Sequence, residues 1–311
     1  MNLKDYKIVF LGTPDISAKL LEGLVEYGFN IPLVITQNDK KTGRNLKLEE
    51  SDVSKMANKL NIEVFKSEKL NKDYQKLIDL KPDLLLTYAY GQILSTRVLE
   101  LSRLKPLNFH ASLLPKYRGA SPIQHALLNG DKETGITLME MEKGMDTGKI
   151  YACEKLDIKD DDNYTSLKNR LTDLAIEMSK NYLVKYLENN LVGTIQDENK
   201  ATYTRMLTKE DEHLLIDSTC DEFINKVRAF SLTPGAYLLN GDEYIKIYKA
   251  LKLNNQILFN IGTLNKFQKK LVLQLKDGII ELCQVQKAGK KIMSGSDFLN
   301  GIKDIGNINL K

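Results

Sequence analysis

Ile8-Val9-Phe10-Leu11-Gly12-Thr13-Pro14 is the stretch that decides the fold. Its first four residues are continuously apolar, as a strand buried on both faces must be, and such strands belong to parallel sheets covered by helices. The run stops at Gly12. Thr13 and Pro14 then read as the N-cap and first residue of a helix, and Ile16, Leu20, Leu21 and Leu24 recur at the spacing of its inward stripe. Outward from this unit, apolar strands at 33–36, 63–65 and 83–87, with a helical stretch at 53–60, keep an alternating rhythm. The pattern predicts an α/β fold built on a doubly wound, mainly parallel, Rossmann-like sheet. Leu167, Leu171, Leu174, Met178, Tyr182 and Leu183 predict a long helix over 164–188 that packs on this sheet and closes a first domain of residues 1–189.

Residues 190–208 are polar and lack a sustained period, so they read as a linker to a second domain at 209–311. There a short helix near 220–229 precedes β-like segments at 244–253, 256–261, 271–276 and 279–285, separated by Gly, Asn and Asp. A small, open, OB-like β-barrel is the expected package.

A chain of 311 residues with 42% apolar content can fill two cores, and its net charge of +4 leaves any nucleic-acid contact to local patches. Cys153, Cys220 and Cys283 are far apart and show no ligand spacing, so neither a disulfide framework nor a metal site is expected. No signal-like segment and no long apolar run occurs, which predicts a cytoplasmic protein with no membrane contact. Nothing in the sequence calls for an oligomer, so a monomer is expected. Gly12-Thr13-Pro14 lacks the GxGxxG spacing that admits a pyrophosphate, which argues against a nicotinamide enzyme.

The chemistry gathers further on. In Leu107-Asn108-Phe109-His110 polar and apolar residues alternate, so a strand would bury Leu107 and Phe109 and project Asn108 and His110 together from its other face. Ala111-Ser112-Leu113-Leu114-Pro115 follows as a turn at the carboxyl end of a sheet strand, where open α/β sheets bind ligands. Gly144-Met145-Asp146-Thr147-Gly148 sets a carboxylate between two glycines that allow a tight bend. An amide and an imidazole can donate to a developing tetrahedral oxyanion while a carboxylate manages the proton, so the trio suits acyl transfer without a covalent enzyme intermediate. His125 and His213 read as ordinary surface or helix residues.

The run Asn108 to Pro115, the following Tyr117-Arg118-Gly119 and the position of Asp146 together resemble the folate-dependent formyltransferases. The likeness extends over Phe10-Leu11-Gly12-Thr13-Pro14-Asp15, 36–44, Ala89-Tyr90-Gly91-Gln92-Ile93-Leu94 and 122–148. Thr233-Pro234-Gly235-Ala236-Tyr237 and the stretch from Gly289 to Gly301 are similar to the second domain of family members that act on initiator tRNA.

This resemblance implies transfer of the formyl group of the co-substrate 10-formyltetrahydrofolate to the methionyl amino group of charged initiator tRNA, in support of translation initiation. It implies Asn108, His110 and Asp146 as the catalytic trio, with Ser112, Leu113, Leu114 and Pro115 against the folate and Tyr90, Gly91, Gln92 and Leu94 around the pterin. Gly12, Thr13, Pro14 and Asp15 would line the methionyl end, and Arg44 would reach the acceptor stem, although Glu49, Glu50 and Asp52 follow in the same loop. Between Lys246 and Lys291 ten lysines face two acids, Asp277 and Glu281, so Lys269, Lys270, Lys290 and Lys291 are expected to meet tRNA phosphates. A nucleotide-sugar N-formyltransferase shares the trio, and a non-catalytic tRNA- or folate-binding protein shares the folds. The lysines argue against the first and the retained trio against the second.

Overall fold

The computed structural model describes residues 2–42 and 47–302 together with Ile305, Ile308 and Leu310, so Arg44 lies outside the described residues. The chain folds as two compact units. One comprises Met1–Gly119, Thr134–Asp157 and Lys168–Thr204, and the other Ala120–Glu133, Ile158–Leu167 and Arg205–Lys311.

The first unit is built on seven strands: β1 (Ile8–Gly12), β2 (Leu33–Thr36), β3 (Glu63–Lys66), β4 (Leu84–Tyr88), β5 (Leu107–His110), β6 (Glu133–Glu140) and β7 (Ile150–Asp157), in the order β7-β6-β5-β4-β1-β2-β3. All residues of β1, β2 and β4 are buried, which is why their sequences carry no polar alternation. The pairings from β3 through β1 to β5 are parallel, with Val9 opposite both Leu33 and Leu85, whereas β5 and β6 run antiparallel. The strand order reverses between β1 and β4, and at such a switch point the carboxyl ends of the strands leave a crevice.

One local expectation is corrected. The helix α1 (Asp15–Tyr27) starts one residue later than predicted, with Pro14 as its cap and no side-chain bond there. The hydroxyl of Thr13 donates instead to the carbonyl of Tyr90, 2.9 Å away, so the residue ties two strand ends together rather than capping its own helix. The long helix is present as Tyr164–Met178, a π turn at Ser179–Leu183 and a last turn at Val184–Leu187.

The second unit carries an antiparallel sheet of β8 (Ala236–Asn240), β9 (Glu243–Asn254), β10 (Leu264–Phe267), β11 (Lys270–Leu275), β12 (Gly278–Lys287) and β13 (Met293–Ser294). Its order is β8-β9-β12-β11-β10, with β13 also on β12, and register shifts interrupt the β9–β12 ladder. This is the separate small β domain foreseen from the sequence. Residues 256–261 are not the strand expected there, and β10 takes that place. Buried Gln274 explains the irregular segment: its Oε1 accepts from the Leu258 and Phe259 N–H groups at 2.9 and 3.2 Å, and its Nε2 donates to the Gln256 carbonyl at 3.2 Å. A side chain thus satisfies backbone groups that would otherwise need a neighbouring strand. In the same unit Arg228 donates to the carbonyls of Asp162 and Lys159 at 2.6 and 2.7 Å, which joins segments distant in sequence.

Candidate active site

Asn108 lies on β5 directly opposite Thr87 of β4. The Thr87 hydroxyl donates to Asn108 Oδ1 at 2.7 Å, which turns the amide so that both Nδ2 hydrogens are left without a protein acceptor among the described residues. His110 ends the same strand and is 6% exposed. Its Nε2 lies 2.8 Å from the carbonyl oxygen of Tyr117. A carbonyl can only accept, so Nε2 carries a proton and Nδ1 is the atom left for acid–base work. That Nδ1 stands 3.5 Å from Asp146 Oδ2.

Asp146 is held in turn by the Gly119 N–H, which donates to its Oδ2 at 2.7 Å. Its backbone adopts φ +53°, a left-handed conformation uncommon outside glycine and found where a site over-determines the chain. The flanking Gly148 has no room for a side chain, since a Cβ would fall 2.0 Å from the Glu140 carbonyl oxygen. Asn108, His110 and Asp146 are thus brought together near the switch point, with Tyr117 and Gly119 contributing backbone atoms. The imidazole therefore departs from the sequence expectation in one respect. Nε2 is engaged by Tyr117, so Asn108 is the open neutral donor and His110 faces the carboxylate.

Thr87 was not singled out from the sequence, although it is the first polar residue after an apolar run. Thr87→Val keeps the volume and removes the bond, so Asn108 should lose its preferred orientation and turnover should fall by about tenfold, the worth of one hydrogen bond. Steady-state kinetics at saturating substrates check this, and an unchanged kcat would mean that Asn108 is oriented by something else.

The turn after β5 is fixed from inside. Thr137, opposite His110 in the β5–β6 register, donates to the Ser112 carbonyl at 2.6 Å and accepts from the Leu114 N–H at 3.1 Å. The Ser112 hydroxyl donates to the Lys116 carbonyl at 2.6 Å. Ser112 and Leu114 are buried, while Leu113 and Pro115 are partly exposed. The Tyr90 to Leu94 turn is tied down similarly. The Tyr90 carbonyl accepts from Gln37 at 3.0 Å as well as from Thr13, and Gln92 donates to the Ser67 carbonyl at 2.8 Å and accepts from the Leu70 N–H at 3.1 Å. Gly91 sits at φ +82°, where a Cβ would come within 2.5 Å of the Gln37 amide nitrogen. Burial pushes the Tyr90 phenol well above its usual range, so it stays neutral. Leu94 is buried with it in the apolar cluster that includes Val9, Leu11, Leu33 and Leu85.

Gly12 is required by packing, because a Cβ would meet Ser17 Cβ at 2.6 Å. Asp15 caps the first turn of α1 through its own side chain, accepting from the Ile16 N–H at 2.9 Å, and pairs with Lys168. In the second unit Lys269, Lys290 and Lys291 are exposed. Lys270 differs, since its ammonium donates to Glu281 across the β11–β12 ladder at 2.6 Å, and that bond raises its pKa.

An oriented amide, an imidazole with one nitrogen assigned and a carboxylate, set at the carboxyl end of the strand beside β4 in a doubly wound sheet, are equipment suited to an α/β acyl-transfer enzyme. Comparison with known proteins narrows the class. The family model described as formyl transferase matches residues 6–183, and that described as formyl transferase, C-terminal domain, matches residues 206–303. The chain belongs to the formyltransferase family. The methionyl-tRNA formyltransferase of Lactobacillus johnsonii is 40% identical to it over 297 residues, covering 94% of this chain and 95% of that protein. The methionyl-tRNA formyltransferase of Mesoplasma florum is 35% identical over 306 residues, covering 97% and 98%. Among solved structures, an N-formyltransferase from Helicobacter canadensis shares the fold at a TM-score of 0.68 and 21% identity, covering 91% of this chain and 99% of that one.

Proposed function

We propose that this chain transfers the formyl group of 10-formyltetrahydrofolate to the methionyl amino group of initiator methionyl-tRNA. The observation that carries the reading is the clamp on His110, held between the Tyr117 carbonyl and Asp146 at the end of the strand that also presents Asn108. The full-length likeness to methionyl-tRNA formyltransferases supports the choice of acceptor.

In the proposed reaction the methionyl nitrogen attacks the formyl carbon and the carbonyl oxygen becomes an oxyanion. Asn108 Nδ2 donates to that oxygen from an amide already oriented, so no reorganisation is needed as the charge develops. Asp146 accepts the proton that the attacking nitrogen loses, directly or through water, with His110 Nδ1 beside it to share the charge. The bond from the formyl carbon to N10 then breaks, and the proton passes to N10 as tetrahydrofolate leaves. The Ser112 to Pro115 and Tyr90 to Leu94 turns, rigid because their polar groups are bonded inside the protein, shape the folate pocket, and the lysine-rich sheet of the second unit holds the tRNA. Thr137→Val should loosen the first of these turns and weaken tetrahydrofolate binding by about tenfold, two buried bonds being lost with only local relaxation. Calorimetric titration checks this, and unchanged affinity would remove Thr137 from the account.

The test of the function is direct. Purified protein is incubated with 10-formyltetrahydrofolate and either charged initiator tRNA or a nucleotide-linked amino sugar. Formylmethionyl-tRNA is the expected product, and formylation of the sugar alone would overturn the assignment.

A further inference from the structure

Arg118 stands between the two backbone groups that hold the proposed proton-handling pair, the Tyr117 carbonyl on His110 and the Gly119 N–H on Asp146. Its side chain is fully buried, an expensive place for a cation unless every donor is met. They are met in full. Nε and Nη2 both donate to Gln196 Oε1 at 3.1 and 2.9 Å, Nη1 and Nη2 donate to the two Glu198 oxygens at 2.9 and 2.7 Å, and Nη1 also donates to the Tyr203 hydroxyl at 2.9 Å. The Glu198 carboxylate keeps the guanidinium charged.

Gln196 passes the arrangement on to the catalytic loop. Its Nε2 donates to the carbonyls of Asp146 and Gly148 at 2.8 and 2.7 Å, the residues that place and follow the left-handed turn. The amide orientation is fixed by chemistry, because guanidinium nitrogens only donate and carbonyls only accept. Gln196 is 6% exposed, although it lies in a stretch that the sequence alone reads as a linker. The same stretch runs on to Tyr203–Thr204, which pairs in parallel with Arg118–Gly119, and beside that pair the Arg118 N–H donates to the Thr202 carbonyl at 2.8 Å and the Tyr117 N–H to the Thr202 hydroxyl at 2.8 Å.

We infer that Gln196 and Arg118 are positioning residues for this reaction, and that Gln196 holds the Asp146 carboxylate against His110 by pinning the loop's two carbonyls. The inference rests on the reading of Asp146 and His110 as the proton-handling pair. The segment after the long helix is then part of the catalytic apparatus of the first unit as well as a connection.

Gln196→Glu isolates the effect. A glutamate still accepts from Arg118, so the buried cation keeps its partners and the fold is spared, but the variant cannot donate to the Asp146 and Gly148 carbonyls. Displacement of a reacting group by about 1 Å costs up to about 100-fold in rate, so kcat should fall by about 10- to 100-fold while both KM values stay within about twofold. In the Asp146→Asn background the same change should cost nothing further, because the group being positioned has already lost its charge. A ring-15N NMR spectrum of His110 should shift at Nδ1 in Gln196→Glu in the direction seen for Asp146→Asn.

A wild-type kcat, or an equal loss in the Asp146→Asn background, would overturn the inference. Should the protein formylate no methionyl-tRNA at all, the proposed function fails and the His110 spectrum alone judges the positioning, with an unshifted Nδ1 counting against it. If the glutamate variant does not accumulate as folded protein, Gln196→Met also removes both bonds to the loop carbonyls, but it deprives Arg118 of its Gln196 acceptor as well. Its kcat is therefore compared between the wild-type and Asp146→Asn backgrounds beside its melting temperature, and an equal loss in both overturns the inference.

Discussion

Asp146→Asn should slow formyl transfer to methionyl-tRNA by about 10² to 10⁴-fold, the range for loss of a positioned general base. The substitution preserves shape, because an amide oxygen in place of Oδ2 still accepts from the Gly119 N–H at 2.7 Å. What disappears is the negative charge beside His110 Nδ1 and, with it, the carboxylate proposed to accept the proton of the attacking nitrogen. Asn108→Ala is the companion change. It removes the oriented Nδ2 donor proposed for the oxyanion, and loss of such a donor costs about 10² to 10³-fold. Single-turnover rates with saturating 10-formyltetrahydrofolate, read beside the melting temperature of each variant, check both. A folded Asp146→Asn protein with the wild-type rate would show that the proton leaves by another route.

The second large effect concerns the tRNA. Lys269, Lys290 and Lys291 are exposed on the β10–β11 turn and after β12, whereas Lys270 is committed to Glu281. Replacing the three exposed lysines with glutamine should weaken binding and flatten the dependence of log affinity on log salt by about 2 to 3 units, since each phosphate contact contributes about 0.7 to 0.9. Lys270→Gln should change that slope far less, because its charge is already balanced and a surface pair of this kind contributes little to stability. Filter binding of charged initiator tRNA across a salt series separates the two. An unchanged slope for the triple variant would place the main phosphate contacts elsewhere and strengthen the sugar-substrate alternative.

The large pieces of this protein were legible because burial leaves a strong mark on composition. A strand covered on both faces carries few polar residues, so the continuous apolar runs Ile8 to Leu11 and Leu84 to Leu86 announce a parallel sheet without reference to anything beyond them. The alternation in Leu107-Asn108-Phe109-His110 likewise sends two polar side chains to one face whatever the rest of the chain does. Where Gln274 replaces a strand neighbour, or Thr13 bonds a distant carbonyl instead of capping α1, local pattern misleads because a partner remote in sequence offers the better bond.

By itself, then, the sequence determined the class of fold, the presence of a separate β domain and the identity of the three polar residues that the fold brings together. The fold class and the β domain follow from residue type and near-neighbour spacing, whereas the three polar residues are picked out by the resemblance to the folate-dependent formyltransferases. Only the tertiary structure decided which nitrogen of His110 is occupied, which hydroxyl turns Asn108, and how Asp146 is held in its left-handed turn. Those answers depend on the Tyr117 carbonyl, the Gly119 N–H, Thr87 and the Gln196–Arg118 pair. Backbone groups carry no mark in a sequence, because every residue but proline has the same N–H and C=O. A single glutamine in a polar stretch has no periodicity to betray that it will be buried 50 residues from the loop it supports.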